Sequence, residues 1–405
     1  MKKLLSAIYS FLSTCAIFLI DIYQKTLSPD KWILRLWLAG RVCSHTPHCS
    51  EYAKQCFQRY NFFTWLHYTI ERVTTCIPSQ EKQYDPSSVS IVFFSGAPIG
   101  EIFLEWLIED KRYDVVWVIT MPDAPRGRWM KVQENSVAMH AKTLWIDSSD
   151  IIKPHSLKSR SKKWWHEANA CITWLEEKQP DYIVVVAYGK IIPQHILDIP
   201  NIAPINVHGS LLPKYRGASP LQSVFLDMQQ KTWITIMLMH AELDAGDSIQ
   251  TLSVPLPFSW TVNNLIDEFE RVWPWFLQDT LWEFTKWRLQ AVPQDHTQAT
   301  FTSKLKKEDA LVDIYSDSLQ DIYAKYRAYA MWPKVYFMVD KKRIGIEKII
   351  VDEHVYVWQK DLPLYISKDG TYELHPSITT LLVKPQGKKS MDWADFVRGY
   401  IKQTE

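Results

Sequence analysis

Short, almost uniformly apolar runs punctuate the middle of the chain: Ser90 to Phe94 (SIVFF), Asp114 to Thr120 (DVVWVIT), Asp181 to Ala187 (DYIVVVA) and Ala203 to Val207 (APINV). Helical periodicity lies between them, through Ile102, Phe103, Trp106 and Leu107, near Lys162 to Lys178 and near Pro193 to Ile199. Strands apolar on both faces belong inside a parallel sheet covered by helices, so the pattern predicts an α/β domain. After Lys334 the texture changes to short alternating segments, Val335 to Val339 and Ile344 to Val351, with turns at Asp340 to Lys342 and Asp369 to Gly370. Alternation of that kind predicts a small antiparallel β-barrel or sandwich.

The chain opens differently. Leu4 to Ile20 carries no charge and follows Lys2 and Lys3. Its length stands at the lower edge for a spanning helix, which leaves a membrane-surface helix, a short span or a buried helix open. Tyr9, Ser10, Ser13 and Thr14 give it a partly polar face, which favours the interface. Ser79 to Ser90 (SQEKQYDPSSVS) is polar, contains Pro86 and reads as a linker.

Composition adds three constraints. With 405 residues, 47% of them hydrophobic, the chain has material for two or three cores. Lysine plus arginine (46) balances aspartate plus glutamate (45), so an RNA partner would need a local basic patch, not a global field. Of the six cysteines, Cys15, Cys43, Cys49, Cys56 and Cys76 precede residue 80 and Cys171 stands apart, a pattern of a special N-terminal module in a reducing compartment. Cys43, His45, His48 and Cys49 are too crowded for easy tetrahedral zinc, so structural cysteine and no metal are expected.

The densest reactive cluster is INVHGSLLPKYRG, Ile205 to Gly217, where a buried strand ends. Ligands of open α/β sheets bind at the carboxyl ends of strands. Asn206 and His208 are two apart and project to one side, able to converge on one carbonyl oxygen. Downstream, ITIMLMHAELDAGD (Ile234 to Asp247) reads as a strand and a loop with Glu242, Asp244 and Asp247, any of which could orient and charge the imidazole. An amide donor, an imidazole and a carboxylate suit acyl transfer to an amine, which needs an oxyanion donor and a proton acceptor but no serine or cysteine nucleophile.

INVHGSLLPKYRGASPLQ followed by TIMLM and LDAGD resembles the signature of the folate-dependent formyltransferases. The resemblance runs from about Ser90 to the end. It implies a Rossmann-like catalytic domain, 10-formyltetrahydrofolate as formyl donor, Asn206, His208 and Asp244 as catalytic residues, and Ser210, Leu211, Leu212 and Pro213 as the folate-binding loop. GASPLQ with Gln222, the TMPDAPRGR loop and an added C-terminal β domain are similar to the methionyl-tRNA formyltransferases in particular. That implies initiator methionyl-tRNA as acceptor and partner. Arg126, Arg128 and Lys131 of the Met121–Asn135 loop, with Lys388 and Lys389 on an OB-like barrel, would be phosphate contacts, which supply affinity more than sequence choice. Sugar or purine-intermediate N-formyltransferases share the core and are the alternative, as is a membrane-insertion factor with an inactive formyltransferase-like domain.

IYQKTLSP, CSEYA (Cys49 to Ala53), TIERVTTC ending at Cys76, and YDP (Tyr84 to Pro86) resemble the YidD family, small peripheral inner-membrane proteins implicated in membrane protein insertion. Ser44, His45 and His48 depart from its usual pattern. The expected organisation is a small helical membrane-associated module (1–86), a catalytic domain (88–295) and an OB-like barrel (300–405), at the cytoplasmic face of the inner membrane. Finally, glycine occurs 12 times, against about 28 at ordinary usage, and tryptophan 19 times. Trp65, Trp117, Trp129, Trp233 and Trp273 fall where the two family patterns usually carry glycine. A source that reads UGA as glycine would explain all five.

Overall fold

The computed structural model describes residues 45–60, 62–75, 83–84, 86–126, 130–158, 163–354, 363–366 and 372–401. The expectations for Leu4–Ile20, Cys43, Arg128 and Trp129 fall outside these residues. The central sheet has seven strands: β3 (Val89–Ser95), β4 (Tyr113–Ile119), β7 (Ile151–Ile152), β8 (Tyr182–Val186), β9 (Ala203–His208), β11 (Lys231–Leu238) and β12 (Ser248–Pro255), in the order β12-β11-β9-β8-β3-β4-β7. Pairings from β9 to β7 are parallel. The expected parallel sheet is present and gains an antiparallel margin at one edge, where β11 runs antiparallel to both β9 and β12.

Burial explains the pattern. Every residue of β8 is buried, as a central strand with helices on both faces requires. In β3 the faces alternate: Ile91 and Phe93 enter one core, Val92 and Phe94 the other. The first core is closed by helices α3 (Ile99–Glu109) and α8 (Val262–Thr285), the second by α5 (Trp165–Lys178), which contributes Cys171 and Leu175. Strand β12, at the edge of the sheet, buries only Ile249 and Val254 and leaves Thr251, Ser253 and Pro255 exposed.

The C-terminal unit is antiparallel: β14 (Tyr336–Val339), β15 (Lys342–Val351), β18 (Ile378–Pro385) and β19 (Met391–Asp392) form one sheet in that order. Helix α9 (Leu319–Ala328) ties it to the catalytic unit through Arg327, which is 2% exposed. The guanidinium donates to the carbonyls of Trp260 (2.7 Å) and Pro257 (2.9 Å) and lies 4.8 Å from the centre of the Phe225 ring.

At the N-terminus, helices α1 (Cys49–Arg59) and α2 (Phe62–Thr75) pair, and β1 (His45–Thr46) lies parallel to β2 (Gln83–Tyr84). Cys56 is fully buried, in keeping with structural cysteine. The polar stretch read as a linker is docked at its end: Ser87 is 4% exposed and its hydroxyl donates to Gln55 Oε1 at 2.9 Å. Arg59 donates to the Lys111 carbonyl and pairs with Asp114, and Arg288 pairs with Glu71 at 2.5 Å. Lys111, Asp114 and Ser87 lie where β3 and β4 begin. The helix pair therefore packs on the sheet end opposite to the one where β9 terminates. Among the described residues, no helix is long and apolar enough to cross a membrane.

Candidate active site

Asn206 and His208 close β9, and the neighbouring strand β11 sets their environment, with Met237 opposite Asn206 and Thr235 opposite His208. His208 is 5% exposed. One ring nitrogen, Nε2, lies 3.0 Å from the carbonyl of Tyr215, so it carries the proton and donates there. The other, Nδ1, lies 3.6 Å from Asp244 Oδ2, an ion pair when the ring is protonated. The Asn206 side chain is partly exposed and makes no hydrogen bond among the described residues, which leaves its amide available to a ligand.

Of the three carboxylates on the loop after β11, the fold selects Asp244. Glu242 is exposed, and Asp247 receives the Leu238 N–H on its backbone carbonyl. The Asp244 carboxylate also accepts the Gly217 N–H at 2.7 Å. Two glycines make this closeness possible. A Cβ on Gly246 would sit 1.9 Å from the Leu238 carbonyl oxygen, and Gly217 has φ +115 with a Cβ position 2.3 Å from Thr302 O.

The 210–213 loop is anchored from within. Ser210 is fully buried and its hydroxyl donates to the Lys214 carbonyl at 2.7 Å, while its own carbonyl accepts from Thr235 Oγ1 at 2.6 Å. Leu212 is buried as well, so Leu211 and Pro213 are the partly exposed members of the loop. Thr235 gave no sequence signal, because a threonine inside an apolar strand reads as an ordinary strand residue.

Within the Met121–Asn135 segment, β5 (Ala124–Arg126) pairs antiparallel with β6 (Lys131–Gln133), a hairpin whose tip lies outside the described residues. Its root is fixed: Thr120 donates to Asn135 Oδ1 at 2.8 Å, the Asn135 amide reaches the Gly96 carbonyl, and Lys153 pairs with Asp123 (2.8 Å) and Glu134 (2.6 Å). Lys153 donates to Asp123, and Lys142 and Lys153 donate to Glu134, which holds both carboxyls below their ordinary range. Lys131 is exposed on β6, and Arg126 ends β5. Lys388 and Lys389 are exposed in the turn after β18. They belong to a separate unit from the hairpin. No group of three metal-ligating side chains occurs among the described residues.

Family models for formyl transferase match residues 89–281 and, for its C-terminal domain, residues 304–401. Methionyl-tRNA formyltransferase from Natranaerobius thermophilus is 30% identical over 312 residues, 76% of this chain and 96% of the relative. The chain belongs to the methionyl-tRNA formyltransferase family. Further members of the family are similar: that of Acetivibrio thermocellus is 32% identical over 69% of this chain and 86% of its own length, and that of a Sulfurihydrogenibium species 35% identical over 64% and 80%. Residues 12–88 match the model of the YidD family, whose description names a membrane protein insertion efficiency factor. The formyltransferase and the YidD-like module thus occur in one chain.

Proposed function

We propose that the enzyme moves the formyl group of 10-formyltetrahydrofolate to the α-amine of methionyl initiator tRNA. The observation that carries this reading is the buried His208–Asp244 pair at the carboxyl end of β9, with the unengaged Asn206 amide two residues away. The amine nitrogen attacks the formyl carbon, Asn206 donates to the oxygen as it gains charge, and His208 joins it by turning its Nε2–H from the Tyr215 carbonyl to that oxygen. For His208 to donate there while charged, Asp244 supplies the balancing carboxylate. The intermediate collapses by breaking the bond to N10 of the folate. The amine loses one proton and N10 gains one, so the reaction is balanced without an external acid or a metal.

In this reading the 210–213 loop faces the folate through Leu211, Pro213 and its backbone, with Ser210 bracing it. Arg126, Arg128 and Lys131 of the 121–135 segment, with Lys388 and Lys389 of the turn after β18, contact tRNA phosphates. The N-terminal helix pair holds the enzyme at the cytoplasmic face of the inner membrane, with the active site turned to the opposite end of the sheet. Acceptor choice tests the proposal: the full chain should formylate charged initiator tRNA and leave nucleotide-linked amino sugars untouched. Preference for the sugar would overturn it.

A further inference from the structure

We infer that Gln294 is a positioning residue that sets the Asp244 carboxylate against His208. The inference rests on the reading of Asn206, His208 and Asp244 as the reacting set. Asp244 has φ 51, a left-handed conformation that is strained for a non-glycine residue and persists only where its surroundings hold it. The chain around it turns two carbonyls inward, and Gln294 Nε2 donates to both, at 3.0 Å to Asp244 and 2.5 Å to Gly246. Gln294 Oε1 accepts two bonds from Arg216, from Nε at 3.2 Å and Nη2 at 2.6 Å. All four hydrogen-bonding positions of the amide are thereby used, at a side chain only 7% exposed.

Arg216 is 4% exposed and pairs with no carboxylate among the described residues; beyond Gln294 it meets His296 Nδ1 at 3.1 Å. A buried cation without an anion is costly. Here it acts on Gln294, because donors on Oε1 polarise the amide and strengthen its Nε2 donation. The next residue, Gly217, donates directly to the Asp244 carboxylate. Residues 216 and 217 and Gln294 thus grip Asp244 by its side chain and its backbone.

Gln294 belongs to the segment that leads from the catalytic unit to the C-terminal one. That segment is laced to the site along its length: Val292 bridges Ser248, Thr300 receives Tyr215 N–H on its hydroxyl, and β10 (Arg216–Gly217) pairs with β13 (Phe301–Thr302). Without Gln294 two buried carbonyls lose their donors and the left-handed turn loses its restraint. A displacement of about 1 Å at Asp244 is enough to cost about 100-fold in rate.

The test is steady-state formylation by the full chain carrying Gln294→Met, Asp244→Asn or both. Expected is a kcat loss of about 100-fold for Gln294→Met, with KM for folate and tRNA moved by less than about threefold, and a double variant no slower than Asp244→Asn alone. Unchanged kcat in Gln294→Met, or losses that multiply in the double variant, would overturn the inference. Should Gln294→Met not fold, Gln294→Glu keeps the size and the acceptor for Arg216 but lacks both donors; a wild-type kcat there overturns it equally. An Asp244→Asn enzyme with full activity would instead sink the catalytic reading itself.

Discussion

His208 Nδ1 and Asp244 Oδ2 lie 3.6 Å apart, although 36 positions separate the residues in the chain, because β9 and β11 are hydrogen-bonded neighbours. The spacing is that of an ion pair slightly beyond hydrogen-bond length. Asp244→Asn keeps an acceptor for Gly217 N–H but removes the charge. We expect kcat to fall by about 100-fold or more, with thermal stability close to wild type, checked by steady-state kinetics alongside calorimetry.

Tryptophan supplies a second prediction. Trp145 (φ 66) and Trp287 (φ 58) adopt the left-handed conformation just after the ends of α4 (Ser136–Thr143) and α8, where glycine is the usual residue, and both rings are exposed. Trp117 and Trp273 have φ outside that region, but both are buried with an indole Nε1 that finds no acceptor, and Trp117 stacks on Trp174 with ring centres 3.2 Å apart. Trp65, by contrast, donates to the Ala53 carbonyl, and Trp233 lies under Lys231. Trp145→Gly and Trp287→Gly should each stabilise the protein by about 1 kcal/mol, read by chemical unfolding. UGG codons at Trp65, Trp117, Trp129, Trp233 and Trp273 in the gene would end the glycine explanation.

The contact between module and enzyme is open to local probing. Arg59→Ala removes the bonds to Lys111 O and Asp114. Amide exchange in α1 should quicken while β3 and β8 keep their protection, since the opening is local. Unchanged exchange in α1 would mean that Arg59 does not hold the docking.

Acidity should loosen the hairpin root. Asp123 and Glu134 have folded carboxyls held below their ordinary range, so their contribution is present at neutral pH and is lost as pH falls through the lowered values. Amide exchange in β5 and β6 should therefore rise below the usual carboxylate range, about pH 4, before the central sheet melts. Protection that persists to lower pH would show that Lys153 is not the fastening.

Much of this architecture was legible in the sequence. Buried strands betray themselves when both faces are apolar, as in β8, and Asn206-x-His208 stands out because polar residues end an apolar run. The antiparallel edge escaped, because direction leaves no mark on an apolar strand. Gln294 and Arg216 escaped for another reason: their role depends on contacts spanning 78 positions, and a glutamine in a polar connector reads as solvent-facing. The docking of Ser87 was hidden likewise, since polar composition does not reveal a hydrogen-bonded seam.

Formylation of charged initiator tRNA by the purified full chain, wild type against His208→Ala, tests the central claim most directly. The account predicts transfer from 10-formyltetrahydrofolate in the wild type and a rate lower by about 100-fold or more in the variant. A His208→Ala protein that formylates at the wild-type rate, or a wild type that leaves the tRNA unformylated, would contradict it.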